Sequence, residues 1–184
     1  MNLRNVFRPV MVTAVALVVT AGLSLSGAAS ADAARPAATL AAANTCVLKT
    51  LNTGNYVTAV GAGGRTTDVI HTDATRIGSW ETFTFVDSGD RNPTRYGIRT
   101  SNGHYLTAVG GGGRVTDVIH SDATRLQAWE KFNLFVLEGN VLALQTISGH
   151  YLTAVDGGGR VSDTIHSNAT VIGPWERFLI TCGF

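Results

Sequence analysis

Residues Tyr105–Phe132 read YLTAVGGGGRVTDVIHSDATRLQAWEKF, and the chain carries this stretch three times. It opens earlier at Tyr56 as YVTAVGAGGRTTDVIHTDATRIGSWETF and later at Tyr151 as YLTAVDGGGRVSDTIHSNATVIGPWERF. The first and second copies agree at 20 of 28 positions and the second and third at 19 of 28. Their tyrosines, like Trp80, Trp129 and Trp175, lie 49 and 46 residues apart. A period of that length marks one supersecondary unit that cannot bury its apolar face alone and must pack on its neighbours.

Each unit reads as strands. Tyr, Val, Thr, Ile and Phe fall in short runs punctuated by glycine clusters. A first strand is expected at Val47–Leu51, Arg95–Thr100 and Val141–Thr146. A short TGN, NGH or SGH turn leads to the YVTAV or YLTAV strand, the glycine loop turns the chain back into DVIH or DTIH, and a last strand follows each tryptophan. Four strands in each of three units make twelve. Threefold closure of one small all-β domain points to a β-trefoil, since a propeller needs at least four blades. Cys46 opens the first strand and Cys182 lies in the last, so in a closed trefoil a disulfide would fasten the chain ends; two free buried thiols are the alternative. Ten of the 21 glycines sit in the three loops, which need unusual backbone angles.

These residues resemble the fascin-like β-trefoil family, also called the actin-crosslinking-like fold. The resemblance rests on Gly103 with Tyr105–Ala108, the loop Gly110–Gly113, Val115 and the ending Trp129-Glu130-Lys131-Phe132, each with equivalents in the other copies, and it covers residues 45–184. Ricin-type lectins end their repeats in Q-x-W, which only Gln127-Ala128-Trp129 fits. The resemblance implies either an actin-crosslinking-like, protein-binding module or a sugar-binding module of the kind attached to secreted glycoside hydrolases. The expected compartment favours the second.

That compartment is read from residues 1–31. Arg4 and Arg8 precede an apolar stretch from about Val10 to Leu25, and Ala29-Ser30-Ala31 offers an A-x-A cleavage site, as in a secretory signal peptide. The apolar stretch is shorter than the ~20 residues a spanning helix needs, so no membrane insertion is expected after cleavage. Residues 32–44 read as a flexible Ala/Pro-rich lead-in, and the folded domain as 45–184 in repeats of about 45–90, 91–138 and 139–184. Over the whole chain 14 Lys+Arg stand against 13 Asp+Glu, and charged residues are only 15%. Charge this sparse and balanced leaves nothing to attract nucleic acid.

The apolar triplets Val57/Leu106/Leu152, Ile70/Ile119/Ile165, Ile77/Leu126/Ile172 and Phe83/Phe132/Phe178 are assigned to the core, and the tryptophans with them. Packing does not explain why Arg65/Arg114/Arg160, Asp68/Asp117/Asp163, His71/His120/His166 and Asp73/Asp122/Asn168 recur. One reading is local. An Arg–Asp pair would pin the hairpin, the histidine would satisfy a carbonyl, and D-A-T or N-A-T would form an Asx- or ST-turn. The functional reading is three equivalent glycan sites. Asp68, His71 and Asp73 (with Asp117, His120, Asp122 and Asp163, His166, Asn168) would grip hydroxyls, and Tyr56, Tyr105 and Tyr151 would offer a ring face. Three weak sites on one polysaccharide or glycoconjugate gain avidity. Asp-x-x-His-x-Asp matches no established metal spacing, and no cofactor is expected. No G-x-S-x-G, H-E-x-x-H or P-loop motif is present, and every candidate residue occurs three times, whereas an active site is one asymmetric constellation; the chain does not read as an enzyme.

Overall fold

The computed structural model describes residues 45–92 and 94–183. The leader and lead-in expected over residues 1–44 lie outside them. Twelve antiparallel strands follow one another: β1 Thr45–Thr50, β2 Tyr56–Ala59, β3 Ile70–Ala74, β4 Phe83–Asp87, β5 Arg95–Thr100, β6 Tyr105–Ala108, β7 Ile119–Ala123, β8 Lys131–Val136, β9 Val141–Gln145, β10 Tyr151–Ala154, β11 Ile165–Ala169 and β12 Phe178–Cys182. Pairing in the order β1, β4, β5, β8, β9, β12 and back to β1 closes a six-stranded barrel. The hairpins β2–β3, β6–β7 and β10–β11 hang from β1, β5 and β9 as three caps. The fold is a β-trefoil.

The barrel interior holds Phe83, Phe132 and Phe178, each at most 1% exposed, with Leu48, Phe85, Ile98, Leu134, Leu142 and Ile180. Val57, Leu106 and Leu152 point inward from the hairpins to the same core. Cys46 and Cys182 face each other across β1 and β12 and are joined as a disulfide. Two core assignments need correction. Ile77 is exposed while Leu126 and Ile172 are half-buried, and all three tryptophans stand well out of the core.

The glycine loops do more than reverse the chain. Each loop holds four consecutive residues at positive φ. At the third of them, Gly63, Gly112 and Gly158, φ is 101–106° with ψ near −170°, a region open essentially to glycine alone. The first two positions lie nearer the ordinary left-handed well, which is why Ala62 and Asp156 can stand there. The third glycine also lies on the next repeat. A Cβ at Gly63 would sit 2.5 Å from Thr100 Oγ1, at Gly112 2.2 Å from Thr146 Oγ1, and at Gly158 2.6 Å from Thr50 Oγ1.

This close approach brings backbone groups of adjacent repeats into register. The Gly64 amide donates to the Ser121 carbonyl (2.7 Å), and the Ser121 amide donates back to the Arg65 carbonyl (2.8 Å). The Arg65 amide donates to Ser121 Oγ at 3.2 Å. The same three bonds join Gly113 and Arg114 to Ser167, and Gly159 and Arg160 to Thr72. Repeat one thus grips two, two grips three, and three grips one. Thr72, Ser121 and Ser167 are fully buried at the joints.

Outside the belt the repeats diverge. The connection from β4 to β5 is organised by Asp90, whose carboxyl is held down to about 2 first by the Ser88 hydroxyl and, against the opposing effect of desolvation, by the Asn92 amide, Lys131 and Arg95.

Replacing Gly112 by alanine is predicted to cost about 3 kcal/mol or more, since it combines a forbidden backbone region with a clash at a packed joint. Gly149→Ala, also at positive φ but with open space around it, should cost only about 1 kcal/mol. Denaturant unfolding of the two variants separates the joint from the turn.

Candidate functional site

The hairpins β2–β3, β6–β7 and β10–β11 place the repeated residues. In the second repeat Thr107 pairs with His120 and Tyr105 with Ala123, with a bulge between. On β6 the Tyr105 ring is half-buried, Leu106 points to the core, and Thr107 is buried with its hydroxyl turned to Glu130. Beyond β6, on the edge away from β7, the Ala108 amide donates to the Trp129 carbonyl at 2.8 Å. The tryptophan turn is therefore held against the edge of β6, beside the hairpin that carries His120.

At one end the repeated aspartate is fully engaged. Asp68 Oδ1 meets His71 Nε2 at 2.6 Å, and Asp68 Oδ2 accepts from Arg65 Nη2 at 3.4 Å. Asp117 repeats this with His120 and Arg114. Asp163 bonds His166 at 2.7 Å and faces Arg160 at 3.8 Å, while Arg160 also pairs with Asp156. All three aspartates hold a left-handed φ of 47–50°, a conformation Asp tolerates better than most residues. The expected Arg–Asp pair is present, and the histidine bonds the carboxylate rather than a carbonyl.

The same segments meet on the threefold axis. Thr66–Ile70, Val115–Ile119 and Val161–Ile165 line one shared depression of ≈ 580 Å³. Asp68, Asp117 and Asp163 come together there, apart from the tyrosines and from Asp73, Asp122 and Asn168, which do not line it. Among the described residues no group of three His, Cys, Asp or Glu side chains is placed to hold a metal ion.

Asp73, Asp122 and Asn168 are exposed within β3, β7 and β11 and do not close a turn. The Asp73 main chain is held instead, its carbonyl accepting from Asn55 Nδ2 at 2.8 Å. The tyrosine rings are half-buried and already partnered. Lys49 Nζ lies 4.8 Å from the Tyr56 ring, Arg99 5.9 Å from Tyr105, and Phe135 meets Tyr151 edge-on at 5.7 Å.

The tryptophans are the residues whose role the sequence reading missed. Trp80, Trp129 and Trp175 are 47%, 49% and 41% exposed. Their neighbour in sequence takes the inward place. Glu130 is buried, accepting from Thr107 Oγ1 at 2.8 Å and from the Gln127 amide at 2.8 Å. Glu81 is held in the same way by Thr58 and Gly78, and Glu176 by Thr153 and Gly173. A carboxylate so placed is satisfied by its own turn, and the turn presents the indole outward. The signal was available: Thr and Glu recur 23 residues apart in every copy.

No protein-family model matches the chain, and no curated protein matches it. Among solved structures it is similar to the designed threefold-symmetric protein ThreeFoil, at 13% identity and a TM-score of 0.63, covering 75% of this chain and 98% of that one. It is similar to SeviL, solved bound to asialo-GM1 saccharide, at 10% identity and a TM-score of 0.57, covering 77% and 98%. It is also similar to Polyporus squamosus lectin, solved bound to a Neu5Aca2-6Galb1-4GlcNAc epitope, at 10% identity and a TM-score of 0.60, covering 76% and 49%. At these identities the likeness establishes the fold alone.

Removing the buried carboxylate by Glu130→Ala leaves the Thr107 hydroxyl and the Gln127 amide without their acceptor and should cost about 2–4 kcal/mol. Glu138→Ala, at an exposed position, should change stability by less than about 0.5 kcal/mol. Thermal or denaturant unfolding distinguishes them.

Proposed function

We propose that this protein is a secreted, lectin-like module that binds carbohydrate through sites repeated on its three hairpins. The observation that carries the reading is the threefold exposure of Trp80, Trp129 and Trp175. Large aromatic rings left half in water, three times over, offer the flat apolar platform that the C–H face of a sugar ring needs. Polar groups stand on the same hairpins. His71, His120 and His166 each keep a second ring nitrogen beyond the one bonded to aspartate. Asp73, Asp122 and Asn168 are exposed and available to hydroxyls. The aromatic platform shifts from the tyrosines, whose faces are partnered, to the tryptophans.

Three sites of modest strength on one rigid body suit a polymer, where linked binding events raise avidity. Asn168 in place of the aspartate makes the third site differ from the others. Two solved trefoils similar in fold, SeviL and Polyporus squamosus lectin, are described with saccharides bound, which supports the reading for this chain. The fascin-like resemblance of the repeats is compatible with it.

The test is calorimetric titration with a panel of neutral and acidic polysaccharides, using the intact chain and the triple variant Trp80→Ala, Trp129→Ala, Trp175→Ala. The intact chain should bind at least one polymer, and the triple variant should lose at least about tenfold in affinity with its disulfide-closed fold retained by circular dichroism. No binding to any polysaccharide, together with co-sedimentation with actin filaments, would replace this reading by a protein-binding one.

A further inference from the structure

The three tryptophan turns are not equivalent. In the second repeat Gln127 stands where the first and third have Gly78 and Gly173. Its backbone amide is used by Glu130, and its side-chain amide makes no hydrogen bond among the described residues. Gln127, Ala128, Trp129 and Glu130 enclose a concavity of ≈ 190 Å³, on the scale of a single sugar ring. The indole N–H of Trp129 likewise bonds nothing among the described residues.

A residue of a different repeat stands beside this concavity, next to the indole. Measured from the point where a Cβ would stand on Gly111, Trp129 Nε1 lies at 3.5 Å and Ile147 Cγ2 at 3.0 Å, so both side chains pack against one glycine. Ile147 is in the turn after β9, which the glycine loop grips through the Ser148 amide and the Gly111 carbonyl at 3.1 Å. Ile147 remains 40% exposed. The residue at the same place is Ser101 in the second repeat and Leu51, 43% exposed, in the first, so what sets this seam apart is the pairing of an exposed aliphatic side chain with Gln127.

From this asymmetry we infer that the seam between the second and third repeats, built from Gln127 and Trp129 of one and Ile147 of the other, is the principal subsite and takes a neutral hexopyranose. The inference rests on the carbohydrate-binding reading above. The sugar ring stacks on Trp129 with its apolar edge on Ile147. The Gln127 amide, at once donor and acceptor, spans two neighbouring hydroxyls, and the indole N–H donates to a third oxygen. The carboxylate beneath is occupied by Thr107 and the Gln127 amide, and Lys131 is turned to Asp90, so the pocket presents no unpaired cation to an acidic sugar. A subsite made by two repeats exists only in the closed trefoil, so its occupant also ties the second repeat to the third.

The experiment is calorimetric titration of the intact chain with methyl β-galactoside, methyl β-glucoside, methyl α-mannoside and, as acidic probes, methyl glucuronide and sialyllactose. The variants are Trp129→Ala, Gln127→Gly, Ile147→Ser, Trp80→Ala and Trp175→Ala. Gln127→Gly and Ile147→Ser install side chains that other repeats already carry at these places, so the fold is retained. The expected result is binding of at least one neutral glycoside, weakened about tenfold by Gln127→Gly and by Ile147→Ser and more by Trp129→Ala, with Trp80→Ala and Trp175→Ala lowering the number of sugars bound without matching that loss in affinity. Equal losses from all three tryptophan variants would overturn the inference while leaving the carbohydrate-binding reading intact. Binding of acidic probes alone would overturn it as well. Absence of binding to every glycoside and every polysaccharide would remove both.

Discussion

The structure depends on one contact made three times: a glycine with no room for a Cβ, pressed onto a buried threonine of the next repeat. Gly63 on Thr100, Gly112 on Thr146 and Gly158 on Thr50 set the distance at which one repeat's loop meets its neighbour. At that distance the following amide and carbonyl reach Ser121, Ser167 and Thr72 and complete a cyclic belt of backbone hydrogen bonds. No repeat could make this contact with itself. The belt, with the Cys46–Cys182 disulfide across the chain ends, converts three units of marginal size into one closed body.

The belt also accounts for the uneven divergence of the duplicated units. The stretch from tyrosine to phenylalanine contains the hairpin, the glycine loop, the serine or threonine that receives it, and the Thr–Glu pair under the tryptophan turn. The glycine loop, the arginine after it and the serine or threonine that receives them touch another repeat, so a change there in one copy is felt at a joint. The connections, such as the one organised by Asp90, lie outside the glycine joints and drift.

Much of this was legible in the sequence. Three copies of a strand-rich unit dictated a threefold all-β body, and the strands fall close to where alternation and glycine placed them, Arg95–Thr100 without change. The apolar residues at the strand starts, Phe83, Phe132 and Phe178, are the barrel core as their recurrence suggested. The tryptophans were misread because recurrence of a large aromatic beside a strand looks the same whether a core or a surface retains it. What separated the two was Glu81, Glu130 and Glu176, polar residues that took the interior place through hydrogen bonds no periodicity reveals. The gathering of Asp68, Asp117 and Asp163 around a common axis was invisible for a different reason, since it follows from closure and from no feature of one repeat. The cyclic order of the belt, which loop grips which neighbour, likewise appears only in three dimensions.

A rigid ring of this kind holds its surface residues at fixed spacing, and the account of function stands on whether the exposed indoles are where ligand meets protein. The most direct measurement follows the three indole N–H resonances of nitrogen-15-labelled protein by two-dimensional NMR during titration with a bound polysaccharide. The account requires the indole signals of the tryptophan turns to shift, Trp129 first, while the amides of Gly64, Gly113 and Gly159 in the belt stay in place. Shifts centred instead on Asp68, Asp117 and Asp163 around the axial depression, with the indole signals unmoved, would contradict it.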